Sequence, residues 1–232
     1  MPDDLPKKGE PIIFFDVESL PAEKDNPIWQ KLAAVLDVVE DESPEDRAGR
    51  VEAARLRSAL YGPLGRAWMI GFADRMGEPT ILSSDGSVEG EKPLLEEFWG
   101  CVEGFDNPWW VGHNIIGYDI PFLQARSLHH GLPLLARKLG RARIKPWEQR
   151  VLDTRSLFPQ TGAERMSWKE GLRGLGKLDT ICALLGIEQQ EGVDGAGVYD
   201  AYLSGNQKGV EEHLYSDVCQ VREVFRRIWP IL

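Results

Sequence analysis

Asp16 and Glu18 stand two residues apart just after the apolar run Ile12-Ile13-Phe14-Phe15, and they form the only Asp-x-Glu in the chain. In an extended strand, residues i and i+2 point to the same side, so the pair presents two adjacent carboxylates where a buried strand ends. Such oxygens are the ligands that hard divalent cations prefer. A solvated strand end would have the same sequence, and the pair gains meaning only with further partners. Asp119 ends the stretch His113-Asn114-Ile115-Ile116-Gly117-Tyr118-Asp119, read as a loop from a strand into a helix. Alone it fits a helix cap equally well. His113 fits a core histidine bonded to backbone, and Asn114 a turn former. Asp217 lies beside the apolar stripe of Leu214, Val218 and Val221 in the last helix, about 40° from His213. A carboxylate at that edge needs compensation, by a metal ion or by an ion pair with Arg or Lys.

Positioning these groups requires a sheet with helices packed on it. Residues 11–17 read as a central buried strand, too short and too β-branched and aromatic for a helix. From about 22 to 65 the chain reads as helical, with Ser43-Pro44-Glu45-Asp46 as a helix start and Gly62-Pro63 as a stop. This segment follows the acidic strand directly, so we expect a helical cover beside the site, with a peripheral ornament as the alternative. Residues 67–73 and 79–83 read as a hairpin around Met76-Gly77-Glu78, 94–102 as a short helix and 109–112 as a strand. Residues 120–130 form a helix with Pro121 in its first turn, 150–154 a strand, and 175–185 a helix capped by Gly186. In the last helix, 210–228, Val210, Leu214, Val218, Val221, Phe225 and Ile228 recur at spacings of three and four. This order gives an α/β fold, a mixed sheet covered by helices.

A chain of 232 residues, 42% hydrophobic and 28% charged, can bury a full core as one domain, 1–232, with the 22–65 segment as an insertion. Residues 1–10 are polar and no run is long enough to span a bilayer, so a soluble, cytoplasmic protein is expected. Cys101, Cys182 and Cys219 show no zinc-site spacing and are expected as reduced, buried thiols. The net charge of -10 runs against a phosphate-rich partner, but the charge is segregated. Residues 134–155 hold Arg137, Lys138, Arg141, Arg143, Lys145, Arg150 and Arg155 against two acidic residues.

Taken together, the motifs resemble the DEDD (DnaQ-like) superfamily of 3′-to-5′ exonucleases, with the greatest similarity to free-standing exonucleases related to the proofreading domain of B-family DNA polymerases. Phe14-Phe15-Asp16-Val17-Glu18 resembles the first motif, Asn114 through Tyr118-Asp119 the second, and His213 through Asp217 the third. The resemblance covers nearly the whole chain apart from about 22–65. It implies a ribonuclease-H-like mixed five-stranded sheet and a two-metal 3′-to-5′ exonuclease releasing nucleoside 5′-monophosphates. Asp16, Glu18, Asp119 and Asp217 would hold two Mg²⁺ or Mn²⁺ ions. His213 stands where this family usually has Tyr, four positions before Asp217. It is the expected water-positioning group, as a neutral imidazole, with Tyr215 the alternative. The implied partner is a nucleic-acid 3′ end, single-stranded DNA first and RNA second, with a DNA polymerase or repair complex as a further partner. Asn114, Tyr118, Lys145, Trp147 and Arg150 are the expected strand contacts. A non-catalytic nucleic-acid-binding or polymerase-associated module and an endonuclease or resolvase on the same fold are the rival readings.

Overall fold

The computed structural model describes residues 6–36, 43–132, 150–157, 176–189 and 192–231. Its sheet is mixed and five-stranded, in the order β3-β2-β1-β4-β5. Strand β1 is Ile12–Leu20, β2 Arg66–Ala73, β3 Thr80–Ser83, β4 Trp109–Gly112 and β5 Val151–Asp153. β2 pairs antiparallel with β1 and β3, whereas β4 runs parallel to β1 and β5 parallel to β4. β1 extends further than its apolar run suggested. Asp16 and Glu18 lie within it, opposite Gly71 and Met69 of β2, and the register shifts only after Glu18.

The helices are α1 (Pro27–Leu36), α2 (Pro44–Arg57), α3 (Val88–Glu103), α4 (Asp119–His129), the one-turn α5 (Thr154–Leu157), α6 (Leu178–Leu185), α7 (Val198–Ser204) and α8 (Gln207–Ile228). α3 starts six residues earlier than expected. Ser87 caps it by accepting from Gly90 N, and Pro93 lies inside the helix. α7 was not foreseen; Gly205, in the left-handed region at φ 72°, ends it.

Strand alternation sets the layers. Ile13, Phe15 and Val17 share one core with Leu94, Leu95 and Phe98 of α3 and Ile120, Phe122 and Leu123 of α4. Ile12 and Phe14 face the other way, against Val218, Val221 and Phe225 of α8 and Ile181 of α6. Each fully buried side chain of this size contributes on the order of 1.5–3 kcal/mol. By the same alternation Asp16 and Glu18 continue the α8 face.

Between α3, α4 and β2 lies a buried polar clamp. Glu91 is fully buried and accepts from Ala67 N at 2.6 Å, Arg126 Nε at 2.8 Å and Arg126 Nη2 at 2.5 Å. His130 Nε2 lies 2.7 Å from its Oε2. Arg126 also donates to Gly62 O at 3.1 Å, which draws in the chain between α2 and β2. At Gly62 a Cβ would sit 2.6 Å from that of Ala125, so only glycine allows this approach.

The segment before β2 is fastened at its ends. Ala22 N donates to Ser58 Oγ at 2.8 Å, and Arg55 donates to Ala22 O at 2.8 Å. Of α1 only Trp29 is buried. Cys182 is buried, but Cys101 is exposed and Cys219 half-buried, so the expectation of three buried thiols is corrected: Cys101 lies on the outer face of α3. Among the described residues no helix is long and apolar enough to cross a membrane.

Candidate active site

β4 pairs with β1 only as far as Phe14 opposite Val111, so the β1 edge beyond that point loses its neighbour. The chain leaves β4 at Gly112, where a Cβ would meet Ile115 and the carbonyl of Phe15, and turns through Asn114 at φ 62°. It returns with Asp119 at the start of α4. Asp119 Oδ1 accepts the free Val17 N–H at 3.1 Å, which seats the third carboxylate between Asp16 and Glu18. Asp119 is thus fixed to the strand and is not the N-cap, a position held by Tyr118 without a side-chain bond.

α8 brings the fourth. His213 Nε2 lies 3.3 Å from Glu18 Oε1 and 3.7 Å from Asp217 Oδ2. The carboxylates repel one another in a largely buried site. Burial, then Asp119, Glu18 and Asp217, raise the Asp16 pKa well above the usual carboxylate range. Burial and Glu18 do the same for Asp119, against its backbone bonds, with Asp153 adding to the rise. Asp217 is pushed up to about 6 by burial, which outweighs the opposing attraction of His213. His213 moves the other way: burial favours its neutral form, but the bond to Glu18 and the charge of Asp217 raise it to about 9. The two carboxylates beside it thus favour the protonated imidazole over the neutral one.

The donor set fits hard cations: four carboxylates, oxygen only, deficient in positive charge. As the side chains stand, no three His, Cys, Asp or Glu groups among the described residues are set around one point at ligand distance. The imidazole of His213 stands between Glu18 and Asp217. A groove of about 610 Å³ opens beside His213 and Asp217, lined also by Asp179, Asn206, Ser216 and Gln220.

Residues 67–230 match the family described as "Predicted 3'-5' exonuclease related to the exonuclease domain of PolB". The chain belongs to this family. Among solved structures, the family B DNA polymerase from the hyperthermophilic archaeon Pyrobaculum calidifontis superposes with a TM-score of 0.60 at 15% identity, over 95% of this chain. The chain spans 25% of that polymerase. The shared architecture is the ribonuclease-H-like mixed sheet flanked by helices. A search of curated proteins found no match.

In this member of the PolB-exonuclease-related family, Asp16, Glu18, Asp119, His213 and Asp217 converge on the C-terminal end of β1. The expected strand contacts do not all follow. Asn114 serves the turn, its Oδ1 accepting from Arg155 at 2.9 Å. Tyr118 is largely enclosed and bonds Ser19 Oγ at 2.5 Å; burial raises its hydroxyl pKa well above the usual value. Arg150 sits at the far end of β5, paired with Glu10 at 3.0 Å and stacked over Trp109, because it precedes a strand parallel to β1. Lys145 and Trp147 lie outside the described residues. Tyr215 is exposed and donates to Glu78, which raises its pKa to about 12.

Sequence reasoning missed Asp153. It is buried, and it accepts from Asn114 N at 2.7 Å, Arg155 N at 3.0 Å and Ile116 N at 3.1 Å. Those bonds hold the loop that delivers Asp119. Its place at the end of a strand parallel to β1 was the available signal. His113 supports the same loop, with Nδ1 3.0 Å from Thr154 Oγ1 and Nε2 2.7 Å from Gly176 O; burial lowers its pKa.

Proposed function

We propose that this chain is a metal-dependent 3′-to-5′ exonuclease acting on DNA, with RNA as the second substrate class, and releasing nucleoside 5′-monophosphates. The observation that carries the reading is the meeting of four carboxylates from β1, α4 and α8, where burial first and mutual repulsion second raise the pKa of three of them. Asp16, Glu18, Asp119 and Asp217 would hold the cations. Two Mg²⁺ or Mn²⁺ ions there would supply a more acidic water and neutralise charge on the scissile phosphate.

The protein's own groups do the positioning. Asp119 is fixed by Val17 N, and the loop before it by Asp153. His213 Nε2 faces Glu18 and Asp217. Once the charge on those carboxylates is neutralised, the attraction that protonates the imidazole is gone, and Nε2 can orient the attacking water or take its proton. The one-domain organisation, with residues 22–65 inserted after β1, belongs to the same reading.

The test is incubation with 3′- and 5′-labelled DNA and RNA oligonucleotides in Mg²⁺, Mn²⁺ or EDTA. We expect a ladder shortening from the 3′ end, its loss in EDTA, and an untouched closed circle. Cleavage of the circle would assign an endonuclease. Tight binding of every substrate without hydrolysis would assign a non-catalytic module.

A further inference from the structure

α6 brings to the groove beside His213 and Asp217 a carboxylate that the four-carboxylate scheme leaves idle. Leu178, Ile181 and Cys182 bury one side of this short helix in the same core as Val218 and Val221 of α8. The Cys182 thiol donates to Gln220 Oε1 at 3.5 Å, and Gln220 Nε2 donates to Ser216 Oγ at 3.0 Å. These contacts fix the start of α6 against the middle of α8. Asp179, next to Leu178, therefore lands on the wall of the groove of about 610 Å³ that His213, Ser216 and Asp217 also line.

Asp179 is exposed, and among the described residues no hydrogen bond or ion pair uses its carboxylate. Only its backbone carbonyl is engaged, by Gln189, and the N-cap of α6 is Lys177. An acid in the first turn gains a little from the helix dipole. Against that gain stands repulsion. Burial, then Glu18 and Asp179, raise the Asp217 pKa against the pull of His213. Burial lowers the His213 pKa, and Glu18, Asp217 and then Asp179 raise it. A fifth negative charge is thus turned toward a site that already holds four. His213 lies 3.3 Å from Glu18 and 3.7 Å from Asp217 but makes no ion pair with Asp179, which acts across the groove. Polar groups separated in this way are bridged by water. Small divalent cations keep part of their water shell when bound, and carboxylates that bond to that shell tighten a site without entering it.

We infer that Asp179 is an outer partner of the cation site: it accepts hydrogen bonds from the water shell of a divalent cation at Glu18 and Asp217, and so sets how tightly that cation is held. This rests on the cation-binding part of the exonuclease reading. The repulsion that Asp179 adds to the empty site is repaid when positive charge arrives.

The test is Mn²⁺ binding by the full chain without nucleic acid, read from the electron paramagnetic resonance of the free ion. Asp179→Asn, of the same size, should weaken binding about ten-fold or more, the scale of a lost outer-shell partner. Asp179→Glu should recover part of that loss. Thermal melts in EDTA should show Asp179→Asn folded, with a Tm equal to or above that of wild type. Glu212→Gln removes a charge from the same groove wall, at a residue paired with Lys208 at 3.4 Å, and should leave Mn²⁺ affinity nearly unchanged. On a labelled oligonucleotide, the rate that Asp179→Asn loses at limiting Mn²⁺ should return at saturating Mn²⁺, because the carboxylate touches the ion only through water. Wild-type Mn²⁺ affinity in Asp179→Asn, or an equal loss in Glu212→Gln, overturns the assignment and leaves the exonuclease reading standing. Wild-type protein that binds no Mn²⁺ overturns both.

Discussion

Replacing Glu91 tests how firmly the sheet side of the site is held. Its carboxylate takes two bonds from Arg126, one from Ala67 N, and lies 2.7 Å from His130. Glu91→Leu leaves the Arg126 guanidinium buried with only Gly62 O as a described acceptor. Removing one member of a buried pair costs about 3–5 kcal/mol, because the survivor stays desolvated. For a domain of this size that is a fall in Tm of about 6–20 °C. Arg126→Met should cost a similar amount. The double variant, apolar on both sides, should recover most of the loss, since an uncompensated charge no longer remains. Thermal melts followed by circular dichroism in EDTA at pH 7 read all three.

The pH dependence has a definite sign. Burial alone would raise the Glu91 pKa, but Arg126, His130 and Ala67 N together outweigh it and lower it. The contribution is therefore fully present above the unfolded value of about 4.3 and is lost as pH falls through the lower folded value. Wild type and Glu91→Leu should draw together in stability as pH falls through the lowered folded value of Glu91. A Glu91→Leu loss under about 1 kcal/mol, or a gap that persists through acid, would refute the clamp.

The other predictions concern the site. Asp16→Ala should abolish hydrolysis in the labelled-oligonucleotide assay while leaving the metal-free melting temperature equal or higher, since it removes a carboxylate crowded by Asp119, Glu18 and Asp217. Normal activity in that variant would remove the four-carboxylate scheme. His213→Ala should lower kcat about 10²-fold with little change in strand affinity. Tyr215→Phe should be nearly silent in the same steady-state assay, and the reverse pattern would place the water-positioning role on the wrong face of α8. Asp153→Ala leaves three backbone N–H groups without their acceptor and should cost about 2 kcal/mol or more by denaturant titration, with activity falling as the 113–118 loop loosens.

What the sequence made readable was periodic. Two-residue alternation put Asp16 and Glu18 on one side of the first strand, and three-and-four spacing placed Asp217 beside the packed stripe of α8. β4 matched its expected bounds because its apolar run ends abruptly at a glycine. What escaped was anything decided by a partner distant in the chain. Asp153 looks like an ordinary strand end until the N–H groups of Asn114 and Ile116, nearly 40 residues earlier, meet it. Nothing in the residues around Glu91 announces Arg126 and His130. The raised pKa of His213 has the same origin, since Glu18 lies almost the whole chain away. α7 was missed because seven residues hold too little pattern to separate a short helix from a loop.

The separation of the carboxylates along the chain has a consequence for how activity arises. β1 supplies its pair at Asp16 and Glu18 and α8 supplies Asp217 roughly 200 residues later, so the last carboxylate closes a long loop of chain. A ribosome-bound fragment can build the β1–β2 hairpin and even seat Asp119 long before α8 exists. Such a fragment would hold three carboxylates with no His213 beside them. On the exonuclease proposed above, competence to cut would be a late event in folding, arriving only when α8 docks over Ile12 and Phe14. A nascent chain that lacks α8 would then hold most of the sheet and an incomplete set of carboxylates.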